Sequence, residues 1–123
     1  MNHIELFAGC GGLSLGLETA GFQLLLANEL SPMASETFAY NILDADLENK
    51  KNIEKVFWIS SSHNREDMAL RLRENPQIAT GLQSHHISDL REAPLSQENL
   101  RRSLLVGSLV DLNLLLDESS SPL

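Results

Sequence analysis

Two stretches of the chain carry residue types and spacings that could do chemistry. The first is Glu5-Leu6-Phe7-Ala8-Gly9-Cys10-Gly11-Gly12-Leu13. Its glycines allow positive φ and let a ligand approach the backbone with no Cβ in the way. The stretch leads into a helix start, whose free N–H groups and positive dipole end favour an anionic group. The second is Glu29, twenty residues after Gly9. In nucleotide-binding α/β folds an acid at that spacing accepts hydrogen bonds from ribose hydroxyls. Alone, a glycine-rich turn can equally be a tight strand-to-helix connection. Glu29, placed after a second strand, tips the reading towards a nucleoside. The pattern is not the usual dinucleotide fingerprint, because Ser14 stands where a small glycine-like residue is required. Nicotinamide-dinucleotide binding is therefore the weaker version.

The flanking residues say what must position this pair. Ile4-Glu5-Leu6-Phe7 reads as a short strand. Leu13, Leu17 and Ala20 recur at helical spacing, and Gly21 suits the position just past a helix end. Leu24-Leu25-Leu26-Ala27 is a continuous apolar run, suited to a strand buried on both faces. Ser31-Pro32 then opens a second helix, with serine at the N-cap and proline at the first helical position, running to about Asn41. The order strand, helix, strand, helix predicts a parallel sheet, with the two candidate elements meeting at the carboxyl ends of adjacent strands.

Beyond this the pattern weakens. Asp44 to Lys55 is polar and reads as a loop or insertion, and Val56-Phe57-Trp58-Ile59 as a strand or an apolar patch on the domain. Asn64 could cap a helix from Arg65 to about Glu74, stopped at Asn75-Pro76. Gln77 to Arg91 has weak periodicity, and Pro94 to Arg102 suits a short amphipathic helix. Leu104-Leu105-Val106-Gly107 reads as another strand, followed by a helix or turn through Leu116. These elements make one domain over residues 1–117, and residues 118–123 read as a flexible tail.

The chain has 123 residues, 42% of them apolar, enough for one domain with a modest core. No apolar run is long enough to cross a bilayer, and the N-terminus lacks the pattern of a secretory signal. Cys10 is the only cysteine, so no internal disulfide can form, which fits a reducing, cytoplasmic setting. Net charge is −8. Surfaces that bind nucleic acid are usually basic, since affinity comes largely from neutralising phosphates. Any DNA substrate would take most of its phosphate contacts from another segment or subunit.

The segment Ile4 to Phe22 resembles the first conserved motif of cytosine-5 DNA methyltransferases, and Asn28-Glu29-Leu30-Ser31-Pro32-Met33-Ala34 resembles their second. The run Phe7-Ala8-Gly9-Cys10-Gly11-Gly12 is far more specific to that family than glycine spacing alone. The resemblance covers about Ile4 to Tyr40 and implies an α/β, Rossmann-like fold for S-adenosylmethionine, incomplete in that only the N-terminal portion of the parallel sheet is present. It also implies roles for individual residues. Phe7 would pack against the adenine of S-adenosylmethionine, with Leu30 covering a face of it. Backbone groups of Ala8, Gly9, Cys10, Gly11, Gly12 and Leu13 would surround the methionine portion, and Glu29 would hold the ribose. Simple core packing is the alternative for Phe7 and Leu30. Glu5 stands where the family usually has aspartate, and its alternative is a solvated acid at a strand end. The family's adenine-contacting acid has no clear counterpart: Ser108 replaces it if Leu105 to Leu109 is the corresponding strand end, and Asp89 and Asp111 are other candidates.

The resemblance also marks what is missing. Methylation of cytosine C5 needs a cysteine thiolate that adds to C6 of a flipped-out base. In the family it lies in a Pro-Cys motif, and this sequence has none. Cys10 lies inside the cofactor turn and reads as a small buried side chain, so no catalytic residue is assigned. The chain reads as a fragment, as a subunit completed by a second polypeptide carrying the catalytic cysteine, or as a remnant. DNA would be engaged through that other segment. A non-catalytic assembly subunit and a nicotinamide-dependent oxidoreductase are the rival functions.

His85-His86 lacks an accompanying cysteine or spaced acid pair, so no metal site is expected. Arg65, Arg71, Arg73, Arg91, Arg101 and Arg102 are interleaved with acids and read as a solvated surface, with Trp58 as core.

Overall fold

The structure, a computed structural model, describes residues 1–47, 49–59, 87–92 and 96–119. Strand β1 (Asn2–Leu6) leads through the glycine turn into helix α1 (Gly12–Thr19), and β2 (Gln23–Glu29) into α2 (Pro32–Ile42). Then come a 3-10 turn at Ile53–Lys55, β3 (Val56–Trp58), β4 (Ser88–Asp89), α3 (Gln97–Leu100), β5 (Ser103–Val106) and α4 (Leu109–Ser119). The sheet order is β1-β2-β5-β3-β4, and every pairing is parallel. This is the doubly covered α/β architecture expected from alternating strands and helices.

Local chemistry explains the first half. The Ser31 hydroxyl accepts a hydrogen bond from the Ala34 amide at 3.3 Å, with Pro32 in the first turn, so α2 starts where cap and proline direct it. Phe38, Ala39 and Ile42 of α2 pack on Leu24, Ala27, Leu104, Val106, Val56 and Trp58, forming the core on one face of the sheet. On the other face Leu112 and Leu115 of α4, with Leu100 of α3, pack on Phe57, Ile59 and Leu105. β2 is an interior strand, paired to β1 on one side and β5 on the other, as its unbroken apolar run requires.

Several expectations change. Leu13, Leu17 and Ala20 do not form the inner face of α1: Leu13 and Ala20 are exposed, Leu17 half-buried, and the buried residue is Ser14. A small side chain lets α1 sit close to the sheet, and its hydroxyl satisfies Glu5 beneath it. The polar loop after Asp44 is anchored, with Ala45 and Leu47 fully inside the core. Only one turn of the helix expected over Pro94 to Arg102 is described, as α3. The last helix continues beyond the expected boundary, carrying Glu118 and Ser119 within it. The expected loop at Ser60-Ser61-Ser62, the helix from Arg65 to Glu74 with Arg71 and Arg73, and His85-His86 lie outside the described residues.

Candidate functional site

The site lies at the carboxyl ends of β1 and β2. β1 and β2 run in register from Asn2 opposite Gln23 to Leu6 opposite Asn28, with one irregularity between His3 and Ile4. The ladder is prolonged by the Ala8 amide, which donates to the Asn28 carbonyl at 2.9 Å. Chain reversal between Leu6 and α1 is forced by three residues in the left-handed region: Phe7 at φ 57°, Gly9 at 58° and Gly11 at 98°. For phenylalanine this is a sparsely populated conformation, the kind of strain that proteins hold at functional sites. It turns the ring outward, leaving Phe7 78% exposed beside the strand ends. Gly11 is fixed by sterics as well as by φ, because a Cβ there would lie 2.7 Å from Ile42 Cγ1. At Gly9 and Gly12 a Cβ would meet nothing within 4 Å, so the turn's backbone borders open space.

Glu29 closes the arrangement. Its Oε2 accepts the Gly9 N–H at 2.7 Å and its Oε1 accepts the Ser31 N–H at 2.9 Å. One carboxylate thereby ties the glycine turn to the start of α2. Hydrogen bonds to an ionised acceptor are short and strong, so the turn and the acid hold each other in place. A carboxylate has about four acceptor positions, and these two bonds leave capacity on both oxygens. Leu30, next in the chain, is exposed like Phe7.

Behind the turn lies a buried polar pair. Glu5 is 5% exposed and opposite Ala27, and its carboxylate accepts the hydroxyl proton of the fully buried Ser14. His3 Nε2 lies 3.5 Å from the same hydroxyl. Glu5 is thus neither a solvated strand-end acid nor a group facing the opening. It fixes the base of α1 from within. Cys10 is exposed, contrary to the buried role expected of it, because Gly9 and Gly11 direct the chain around it outward.

The third strand end is brought in by Asn28, which sequence reading passed over. Its buried side-chain amide donates to the carbonyls of Leu105 at 2.9 Å and Gly107 at 3.1 Å, while the Gly107 amide donates to the Glu29 carbonyl at 2.9 Å. A buried asparagine at the end of an apolar strand was the signal available, since it must find partners. These bonds place Ser108 next to the Glu29 strand end. The Ser108 hydroxyl accepts the Val110 amide at 3.1 Å and so caps α4. Asp89 lies at the far edge of the sheet, on β4, and Asp111 in the first turn of α4. Among the described residues no group of three histidine, cysteine or acidic side chains could hold a metal. No helix described there is long and apolar enough to cross a membrane.

Residues 1–68, more than half of the chain, match the family model of C-5 cytosine-specific DNA methylases. The chain belongs to the C-5 cytosine-specific DNA methylase family. The matched stretch contains the whole β1–α1–β2–α2 unit and so the entire turn and Glu29. Among curated relatives, the Type II methyltransferase M.HindV of Haemophilus influenzae is 44% identical over 61 residues, which are 46% of this chain and 20% of that protein. M.PspPI of a Psychrobacter species is 47% identical over 51 residues, 37% of this chain and 12% of that protein. M.DdeI of Desulfomicrobium norvegicum is 51% identical over 41 residues, 33% of this chain and 10% of that protein. The chain therefore spans a fifth or less of the length of these methylases. No solved structure matches it.

Proposed function

We propose that the crevice between the glycine turn and Glu29 holds S-adenosylmethionine, and that this chain is the cofactor-binding part of a DNA (cytosine-5-)-methyltransferase. The observation that carries this is the Glu29 carboxylate, pinned by the Gly9 and Ser31 amides and still able to accept ribose hydroxyls. The residues fit the group. The open side of Gly9 and Gly12 leaves room for the methionine portion against the backbone of Ala8 to Leu13. Phe7 and Leu30 offer exposed apolar surfaces to an adenine. Ser108, beside the Glu29 strand end, would offer the adenine a hydroxyl hydrogen that its capping bond does not use. Glu5 and Ser14 act from behind, holding the start of α1.

When bound, the cofactor supplies an electrophilic methyl group on a sulfonium. The chain's own contribution is orientation. The Glu29–Gly9 bond sets the turn before the ligand arrives, so little ordering remains to be done on binding. Methyl transfer to cytosine needs a thiolate nucleophile, and Cys10, on the turn itself, is not assigned that role. In this reading residues 1–123 do not methylate by themselves, and the nucleophile and most of the DNA contacts come from a segment outside them or from a second polypeptide. The relatives' Type II designation supports a place in restriction–modification, and a DNA substrate supports a cytoplasmic location.

Calorimetric titration with S-adenosylmethionine and with NAD tests the reading. Binding of the former and not the latter is expected. Preference for NAD would overturn it in favour of an oxidoreductase.

A further inference from the structure

Three polar side chains meet in the packed layer between β1 and α1. His3 and Glu5 are two residues apart on β1 and so point to the same face, the one that α1 covers. Ser14, in the first turn of α1, reaches both. Its hydroxyl donates to the Glu5 carboxylate, and its oxygen lies 3.5 Å from His3 Nε2. The β2 residues opposite, Leu24 beside His3 and Ala27 beside Glu5, are apolar and buried. Glu18, one turn after Ser14 on the same side of α1, is held by Arg102. Ser14 has one hydroxyl hydrogen and gives it to Glu5, so towards His3 it can only accept. A neutral imidazole therefore carries its proton on Nε2. The buried Nδ1 is then a lone pair with no N–H to satisfy.

We propose that His3 is a positioning residue: the relay from His3 through Ser14 to Glu5 sets the first turn of α1 and, through it, the affinity for the amino-acid half of the ligand alone. The proposal rests on the S-adenosylmethionine reading of the site. The amino-acid half would lie against the amides that open α1, those of Gly12 and Leu13, whose place over the sheet depends on Ser14. The adenosyl half would have separate supports. Phe7 is anchored by the ladder bond of Ala8 to Asn28, and Glu29 by the Gly9 and Ser31 amides. None of these bonds passes through α1. His3 stands at the beginning of β1, away from the strand ends where the ligand would sit, so it acts only through Ser14. Its donation to the Ser14 oxygen also strengthens the hydroxyl's bond to Glu5, since hydrogen bonds in a chain polarise one another.

Two thioethers separate the halves: S-adenosylhomocysteine carries the amino-acid tail and methylthioadenosine lacks it. Each is titrated calorimetrically against the full chain, with circular dichroism checking the fold of every variant. For His3→Leu and for Ser14→Ala, S-adenosylhomocysteine should bind about threefold to tenfold more weakly, the range that one hydrogen bond sets, and methylthioadenosine within about twofold of wild type. His3→Gln, whose amide can donate to Ser14 in place of Nε2, should restore the wild-type ratio of the two affinities. Long-range nitrogen–proton spectra of the wild-type imidazole should show the Nε2–H tautomer, a measurement that needs no variant. Equal losses for both ligands would reduce His3 to a structural part and overturn the inference, as would an Nδ1–H tautomer. A wild type that holds S-adenosylhomocysteine but no methylthioadenosine would also overturn it, because the adenosyl half would then have no grip of its own. Binding of neither ligand to wild type overturns the proposed function and this ligand selectivity with it, while the tautomer still judges the relay.

Discussion

Removing the Glu29 carboxylate separates the latch role that the geometry gives it from the ribose-binding role proposed for it. In Glu29→Ala the Gly9 and Ser31 amides lose their acceptor. Hydrogen bonds to a charged group contribute about 1.5–3 kcal/mol each, but both bonds are only part-buried, so water replaces part of the loss. A net stability decrease of about 1–3 kcal/mol is therefore expected, read as a lower urea midpoint with unchanged slope. Cofactor affinity should fall by a further about 1.5–3 kcal/mol, roughly tenfold to 150-fold in Kd, for the lost ribose bonds. Calorimetry well below the unfolding transition keeps the two effects apart. Glu29→Gln retains one acceptor oxygen but turns an N–H2 towards the second amide, so it should fall between wild type and alanine in both measurements. A Kd within twofold of wild type alongside a lowered midpoint would leave Glu29 as a latch only. No change in either would show that the carboxylate does not hold the turn.

Other substitutions probe the frame around the site. Gly11→Ala forces a Cβ against Ile42 at positive φ and should cost about 1–3 kcal/mol by urea denaturation; a neutral result would mean the turn can shift. Ser14→Ala leaves the buried Glu5 carboxylate without its hydroxyl donor and should cost about 1–3 kcal/mol. Glu5→Gln combined with Ser14→Ala should be less damaging than Ser14→Ala alone, because no buried charge then remains, and additive losses would contradict that coupling. Asn28→Leu strands the Leu105 and Gly107 carbonyls and should lower both stability and cofactor affinity. Cys10 should react with iodoacetamide in the folded protein, at a rate slowed by S-adenosylmethionine; an unreactive thiol would contradict its exposure.

The first forty residues were legible because their signals are local. Glycines at turning points, serine and proline at a helix start, and an unbroken apolar run each act within a few residues. The facing of α1 was not legible. Leu13 and Leu17 carry the helical period, yet the inner position went to Ser14, whose value comes from Glu5 nine residues earlier. Cys10 was misread for a related reason: its residue type favours burial, but the glycines beside it set the chain direction. Nothing near Ser103 to Val106 announces that this strand inserts between β2 and β3, because strand order depends on packing between distant segments. The Asn28 amide needed those distant carbonyls to be interpretable at all.

Asn28 reaches partners 77 and 79 positions further along the chain, whereas Glu29 reaches Gly9 over only 20. During synthesis the turn and its carboxylate latch can therefore close while β5 is still untranslated. Until β5 arrives, β2 has one neighbour and the asparagine remains hydrated. Because closure entropy grows only logarithmically with loop length, changes in the length of the chain between β3 and β5 should cost little. The turn and its carboxylate latch are a short-range, early-forming device, and the far strand serves afterwards to lock it.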